Sequence, residues 1–176
     1  MNFKNQLLAE LSKRNTDYIA SVADDDEKLF DQLMQLVLSN EKTVSGRAAW
    51  VIETVWLKYP NLINNHIDKM IDFLPQSRYD NQKRHFLKML STIDLKQLDE
   101  DRQGILLDCC FTWLEDPVYP TAVKMFSMQI IYNYIKIEPV LAGELAAIIE
   151  NQFNDATPGF KNRGGKILKE LYKVLG

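Results

Sequence analysis

Two histidines, two cysteines, three tryptophans and three clusters of charge are the residues of this 176-residue chain that could do chemistry. His66 stands in LINNHIDKM with Asp68 close by, and His85 follows Arg84 in QKRHFLKM. A general base needs a proton donor within hydrogen-bond reach. Neither histidine has a nucleophile in a recognisable context, and the chain contains no G-x-S-x-G elbow, no P-loop and no G-x-G-x-x-G. Cys109 and Cys110 are sequence neighbours, so a disulfide between them would be strained. They lack a second cysteine or histidine pair at zinc-finger spacing. The surrounding ILLDCCFTWL reads as core with two reduced thiols, and neither a metal nor a cofactor is expected.

The acidic run Asp24-Asp25-Asp26-Glu27 has neither the Gly at the sixth position nor the acid at the twelfth that a calcium loop needs. Placed before Leu29, Phe30 and Leu33, it reads as a helix cap whose carboxylates favour the positive end of the dipole. Asp99-Glu100-Asp101 reads the same way. Trp50, Trp56 and Trp113 could stack a base or a peptide aromatic. Trp56 shares a helical stripe with Ile52 and is expected in the core, whereas Trp50 lies across that helix. Gly164-Gly165 sits inside a helical stripe, where close helix packing or a slight kink accounts for it. The uneven charge is C-terminal. Lys161, Arg163, Lys166, Lys169 and Lys173 face Glu170 alone in a chain of net charge −3. With Phe160, Ile167, Leu168, Leu171, Val174 and Leu175 turned inward, Arg163, Lys166 and Lys173 are expected on one outward face, with Lys169 at its edge. A solvated helix face explains that pattern, and so does a docking stripe for an acidic partner or a phosphate backbone.

The elements that would carry these residues are helical almost throughout. Apolar residues recur at i, i+3, i+4 and i+7 over 2–13, 27–38, 46–59, 61–74, 79–91, 99–115, 120–136, 139–153 and 159–175. No alternating strand and no hairpin turn signal is found. Pro60, Pro75, Pro117, Pro120, Pro139 and Pro158 all fall between these segments or in a first turn, where a missing N–H costs least. Seven glycines and six prolines exclude a collagen-like or low-complexity chain. A sequence pI near 5.4 argues against a generic nucleic-acid binder. No apolar run reaches membrane-spanning length and the first ten residues lack a signal peptide's apolar stretch, so a cytoplasmic monomer is expected.

Arg47, Arg84, Lys124 and Arg163 each stand near the start of a helix, at intervals of 37, 40 and 39 residues. Behind each of the first three comes a helix, a turn and a second amphipathic helix, the signature of stacked helical hairpins. The unit Arg47 to Leu74, with Ala48-Ala49-Trp50, Tyr59-Pro60 at the turn and the Leu62/Ile63/Ile67/Met70/Ile71/Leu74 stripe, resembles the HEAT/armadillo class of helical repeats. The unit beginning at Arg84 departs from it, with Asp94-Leu95 and no proline at its turn. The resemblance implies an all-α fold: a right-handed superhelix of about four helical hairpins plus a C-terminal capping helix, with residues 1–176 as a single domain. A compact helical bundle is the competing arrangement. It further implies a non-catalytic scaffold that binds a protein partner with an acidic surface, through Arg163, Lys166, Lys169 and Lys173 on the reading above. An adaptor subunit of a larger complex is a variant of that role. The alternative is a nucleic-acid-binding branch that resembles DNA-alkylation glycosylases. It would require aromatics and a carboxylate in a basic cleft, and Trp113, Glu115 and Asp116 lack the basic surround.

Overall fold

The computed structural model describes residues 1–176, and every regular element in it is helical. The α-helices are α1 (Phe3–Ala9), α2 (Lys13–Ala23), α3 (Glu27–Leu38), α4 (Val44–Trp56), α5 (Ile67–Phe73), α6 (Asp80–Leu90), α7 (Glu100–Glu115), α8 (Thr121–Ile135), α9 (Ala142–Phe153) and α10 (Pro158–Leu175). Both acidic runs cap helices. Asp26 accepts from the backbone N–H groups of Lys28 and Leu29 at the start of α3, and Asp99 accepts from Arg102 N–H at the start of α7. No helix is long and apolar enough to cross a membrane.

Contacts divide the chain into two compact units, Met1–Met89 and Leu90–Gly176. In the first, α4 packs against both α2 and α3, burying Ala48, Val51, Ile52 and Val55 on one side and Ala49 and Trp56 on another. Such a helix has little surface left for water and belongs inside the stack. Next to it, α6 runs parallel at a constant offset. A Cβ on Gly46 would lie 3.3 Å from Asn81 Cβ, and Lys88 Nζ reaches Glu53 Oε1, 35 positions away, at 2.5 Å. In the second unit α8 packs on α7, α9 and α10. It runs parallel to α10, with Thr121 Oγ1 3.0 Å from Thr157 Oγ1 and Arg163 Nη1 2.6 Å from Gln129 Oε1. Gly164 lets α10 approach α9: a Cβ there would stand 2.9 Å from Ile149 Cγ2. Close packing is therefore its role.

Four expectations are corrected. The first predicted helix, 2–13, ends at Ala9, and a helix the stripe count misses, α2, follows at once. Its buried stripe is Asn15, Thr16, Ile19, Ala20 and Ala23, so polar residues fill the first two positions. Asn15 is polar for a reason. Its Nδ2 donates to the Gln6 and Glu10 carbonyls, at 2.9 and 3.0 Å, which α1 leaves without helical partners. The segment 61–74 is a 3-10 turn, Pro60–His66, followed by the seven-residue α5, and 139–153 likewise opens on a 3-10 turn before α9. A proline at the first position of each turn sets the tighter geometry. Val174 and Leu175, at the end of α10, are half exposed rather than inward. Arg163 turns sideways onto Gln129 and is half buried, which leaves Lys166, Lys169 and Lys173 as the exposed face.

Candidate functional site

Charge is sorted by helix. In the second unit, α8 and α10 together carry six Lys/Arg and one Glu, whereas α7 and α9 carry six Asp/Glu and one Arg. The first unit repeats the bias more weakly. Its α2, α4 and α6 hold six cations against three acids, and α3 and α5 hold four acids against two cations. Helices that alternate along the chain therefore differ in sign.

On α10 the exposed cations are Lys166, Lys169 and Lys173, the last bonded to Glu170 at 2.7 Å. Hydrogen bonds from Lys173 are the main reason the Glu170 carboxyl sits below the usual carboxylate range. Alongside, α8 shows a half-exposed stripe of Met125, Phe126, Gln129, Tyr132 and Asn133, joined to α10 by the Arg163–Gln129 bond. The structure thus brings Arg163 and Lys166 beside aromatic surface, an adjacency that sequence spacing alone did not reveal. Lys124, the third member of the basic series, is buried instead. Its Nζ donates to Gln152 Oε1 at 2.6 Å, and Gln152 in turn donates to the Leu114 carbonyl. Burial pulls the Lys124 ammonium below its ordinary pKa, and Asp116 opposes that shift. An open cavity of about 370 Å³ beside it is lined by Tyr119, Thr121, Gln152, Asp155 and Thr157.

The first unit contains a cluster that sequence reading missed. Glu53 on α4 meets His85 and Lys88 on α6, with His85 Nδ1 against one carboxylate oxygen and Lys88 Nζ on the other. Arg84 Nη2 lies 2.8 Å from His85 Nε2. Arginine can only donate. His85 must therefore accept at Nε2 and donate from Nδ1, a neutral imidazole in one tautomer. Burial pushes the His85 pKa down, consistent with that state, while Glu53 pulls the other way. Burial alone would raise the Glu53 pKa, but hydrogen bonds from His85 and Lys88 outweigh it and hold the carboxyl below the usual range. The pair is closed at both ends: the carboxylate is held twice, and the lone pair a general base would use is taken by Arg84. The register of α4 on α6 sets the half-exposed Trp50 level with Arg84 and His85. Only the helix period and the offset of 35 residues could have signalled this cluster, because Glu53 and His85 lie 32 positions apart.

The other histidine, His66, is buried at the foot of α5 with its ring 5.4 Å from that of Phe30. Its Nδ1 has no hydrogen-bond partner. Cys109 and Cys110 are buried free thiols, and burial pushes the Cys110 thiol well up. No three His, Cys, Asp or Glu side chains gather as metal ligands would.

Across both units, the family model described as a HEAT repeat domain matches residues 3–171. The chain belongs to the HEAT repeat family. No curated protein and no solved structure matches it. The parallel offsets of α4 on α6 and of α8 on α10 are the repeat itself. HEAT repeat domains are typically interaction scaffolds rather than enzymes. On that footing the basic, aromatic-bearing helices are the surface to consider first.

Proposed function

We propose that this HEAT repeat chain is a non-catalytic docking domain. Its binding surface is the cation- and aromatic-bearing side of α8 and α10, centred on Arg163, Lys166, Lys169 and Lys173. The observation that carries the reading is the sorting of charge: in the second unit one pair of helices is basic and the other acidic, so an acidic protein surface has one favourable side on which to land. Half-exposed Phe126 and Tyr132 supply the apolar contact that interfaces favour. The family match runs through both units, which supports treating residues 1–176 as one domain.

The nucleic-acid reading gains one observation. Trp50 and Glu53 stand among Arg84 and Lys88, an aromatic and a carboxylate within basic residues. Against it, Glu53 is already held by His85 and Lys88, and the chain as a whole is acidic.

Affinity purification from the native cell, wild type against Lys166→Glu with Lys169→Glu, tests the docking domain. A protein lost from the charge-reversed bait is the expected result. Unchanged recovery of every partner returns the stripe to a solvated face. Sub-micromolar, steeply salt-dependent binding of single-stranded DNA by anisotropy, abolished by charge reversal, replaces the protein reading with the nucleic-acid one.

A further inference from the structure

Two basic side chains of the chain are buried, Lys83 and Lys124, and their charges are balanced differently. Lys83 has Asp80 at 3.7 Å. Lys124 forms no ion pair: its Nζ donates to Gln152 Oε1, a neutral acceptor. The nearest influence of opposite sign, Asp116, acts on it only through space and accepts the Val118 N–H with its own Oδ1. An ammonium carries three N–H donors. Gln152 takes one, so two donors of a buried cation are left, and burying a charge without pairing it is costly.

Those donors are not sealed in the core. Lys124 lines the open cavity of about 370 Å³ described above, and Gln152, which holds Nζ, lines it too, so the cavity reaches the charged end of the side chain. Small-ligand sites typically enclose roughly 300–1,000 Å³. Thr121, one turn before Lys124 on α8, and Thr157 at the head of α10 share the lining, with their hydroxyl oxygens 3.0 Å apart. Only one hydrogen lies between two such oxygens. Whichever threonine donates it, the hydroxyl hydrogen of the other is left for a ligand. No side chain caps α8 at Pro120, and the positive end of its dipole adds to the same wall.

The rest of the lining limits what the ligand can be. Asp155 stands exposed in it, and Asp116 already acts on Lys124, so one negative charge is better accommodated than two. Pro117 and Tyr119 supply apolar surface. A carboxylate brings one charge and two acceptor oxygens for the N–H and O–H donors. Carried on a short apolar stem, it fits both walls.

We propose that this cavity is a carboxylate-binding site: the carboxylate accepts from Lys124 Nζ and the Thr121–Thr157 hydroxyl pair, and its stem lies against Pro117 and Tyr119. The site goes beyond the docking domain and does not depend on the Lys166, Lys169 and Lys173 face. A free organic acid and an acidic side chain of a bound protein present the same recognition chemistry.

The test titrates the full chain, isotope-labelled for NMR, with phenylacetate, phenylacetamide and inorganic phosphate while backbone amide shifts are followed. Phenylacetate should shift amides of 117–124 and 151–160 saturably. Phenylacetamide should bind at least about tenfold more weakly, as the loss of one charge-assisted pair implies. Lys124→Met keeps an unbranched apolar stem without the ammonium and should weaken phenylacetate by about the same factor. Thermal melts show whether that variant is folded. Thr121→Val, which leaves the lysine in place, serves if it is not, with a loss of about threefold. No saturable shift, equal binding of acid and amide, phosphate bound as tightly as phenylacetate, or a folded variant that binds as wild type each overturns the site. Affinity purification then separates the two sources. A protein lost from a Lys124→Met bait and displaced from wild type by phenylacetate carries the carboxylate itself; unchanged recovery of every protein, alongside saturable phenylacetate binding, assigns the site to a free acid.

Discussion

The two units use similar elements and spend their charges differently. Residues 1–89 hold twelve cations and twelve acids, and the cations on α4 and α6 are largely absorbed by carbonyls and carboxylates of the same unit. Residues 90–176 hold nine cations and twelve acids, yet α10 keeps three lysines in water while the acids collect on α7 and α9. Net charge is thus a poor guide to surface chemistry: the more acidic unit has the more basic helix pair. Part-buried ion pairs in the first unit serve cohesion, whereas exposed lysines in the second add little to stability and are available for recognition.

Removing Pro158–Gly176 separates the units most sharply. Phe160, Ile167, Leu168 and Leu171 are buried on α8 and α9, each burial stabilising by roughly 1.5–3 kcal/mol before entropy. Hydrogen exchange should show protection lost over 90–157 while amides of 1–89 stay protected. Retained protection in both would refute the capping role of α10. Next in size, Glu53→Gln removes the part-buried carboxylate that holds both His85 and Lys88. A loss of about 1–3 kcal/mol, read by denaturant unfolding, is expected, all of it in the first unit.

The glycine pair of α10 gives a smaller and two-signed effect. Gly164→Ala drives a methyl into Ile149 and should cost about 1–3 kcal/mol less roughly 1 kcal/mol of helix propensity. Gly165→Ala meets Phe153 at an ordinary 3.6 Å and should be neutral or stabilising by up to about 1 kcal/mol. Equal melting temperatures for the two would contradict the close approach of α9 and α10.

Acid should loosen the first unit before the second, because both histidines lie in it. Burial lowers the pKa of His85 and His66; Glu53 opposes the shift at His85, and Asp31 and Glu27 oppose it at His66. The unfolded chain therefore takes up protons first as pH falls below the ordinary histidine value of about 6.5, and stability declines from there toward the lower folded-state values. The shallow fall in melting temperature below that pH should flatten in His66→Phe. Charge reversal at Lys166 and Lys169 has the smallest effect, within about 0.5 kcal/mol in unfolding experiments. A larger change would mean that the α10 stripe is structural.

Much of the architecture was legible because apolar periodicity and proline placement are local. Glu27–Leu38 is found to the residue, and α8 and α10 to within one or two. What escaped was α2, whose stripe begins with Asn15 and Thr16 because the end of α1 needs hydrogen bonds more than it needs apolar cover. The helix-by-helix sorting of charge was present in the sequence and visible to anyone tallying alternate segments. The Glu53–His85–Arg84 chain was not, since it depends on how α4 and α6 slide past each other. Arg47, Arg84 and Lys124 entered the basic series by position, but only three dimensions show that each spends a hydrogen bond on a neutral acceptor: the Leu7 carbonyl, His85 Nε2 and Gln152 Oε1.

The near-constant offset between parallel helices also governs how such a chain can change length. One residue inserted within α8 turns everything after it by about 100°. Gln129 would then leave Arg163, and the buried and wet sides of the helix would trade places. An insertion between Glu115 and Thr121, where the chain is already irregular, would be absorbed in the connector. Insertions and deletions in sequences of this build should accordingly gather at the turns, or else add or remove a whole hairpin.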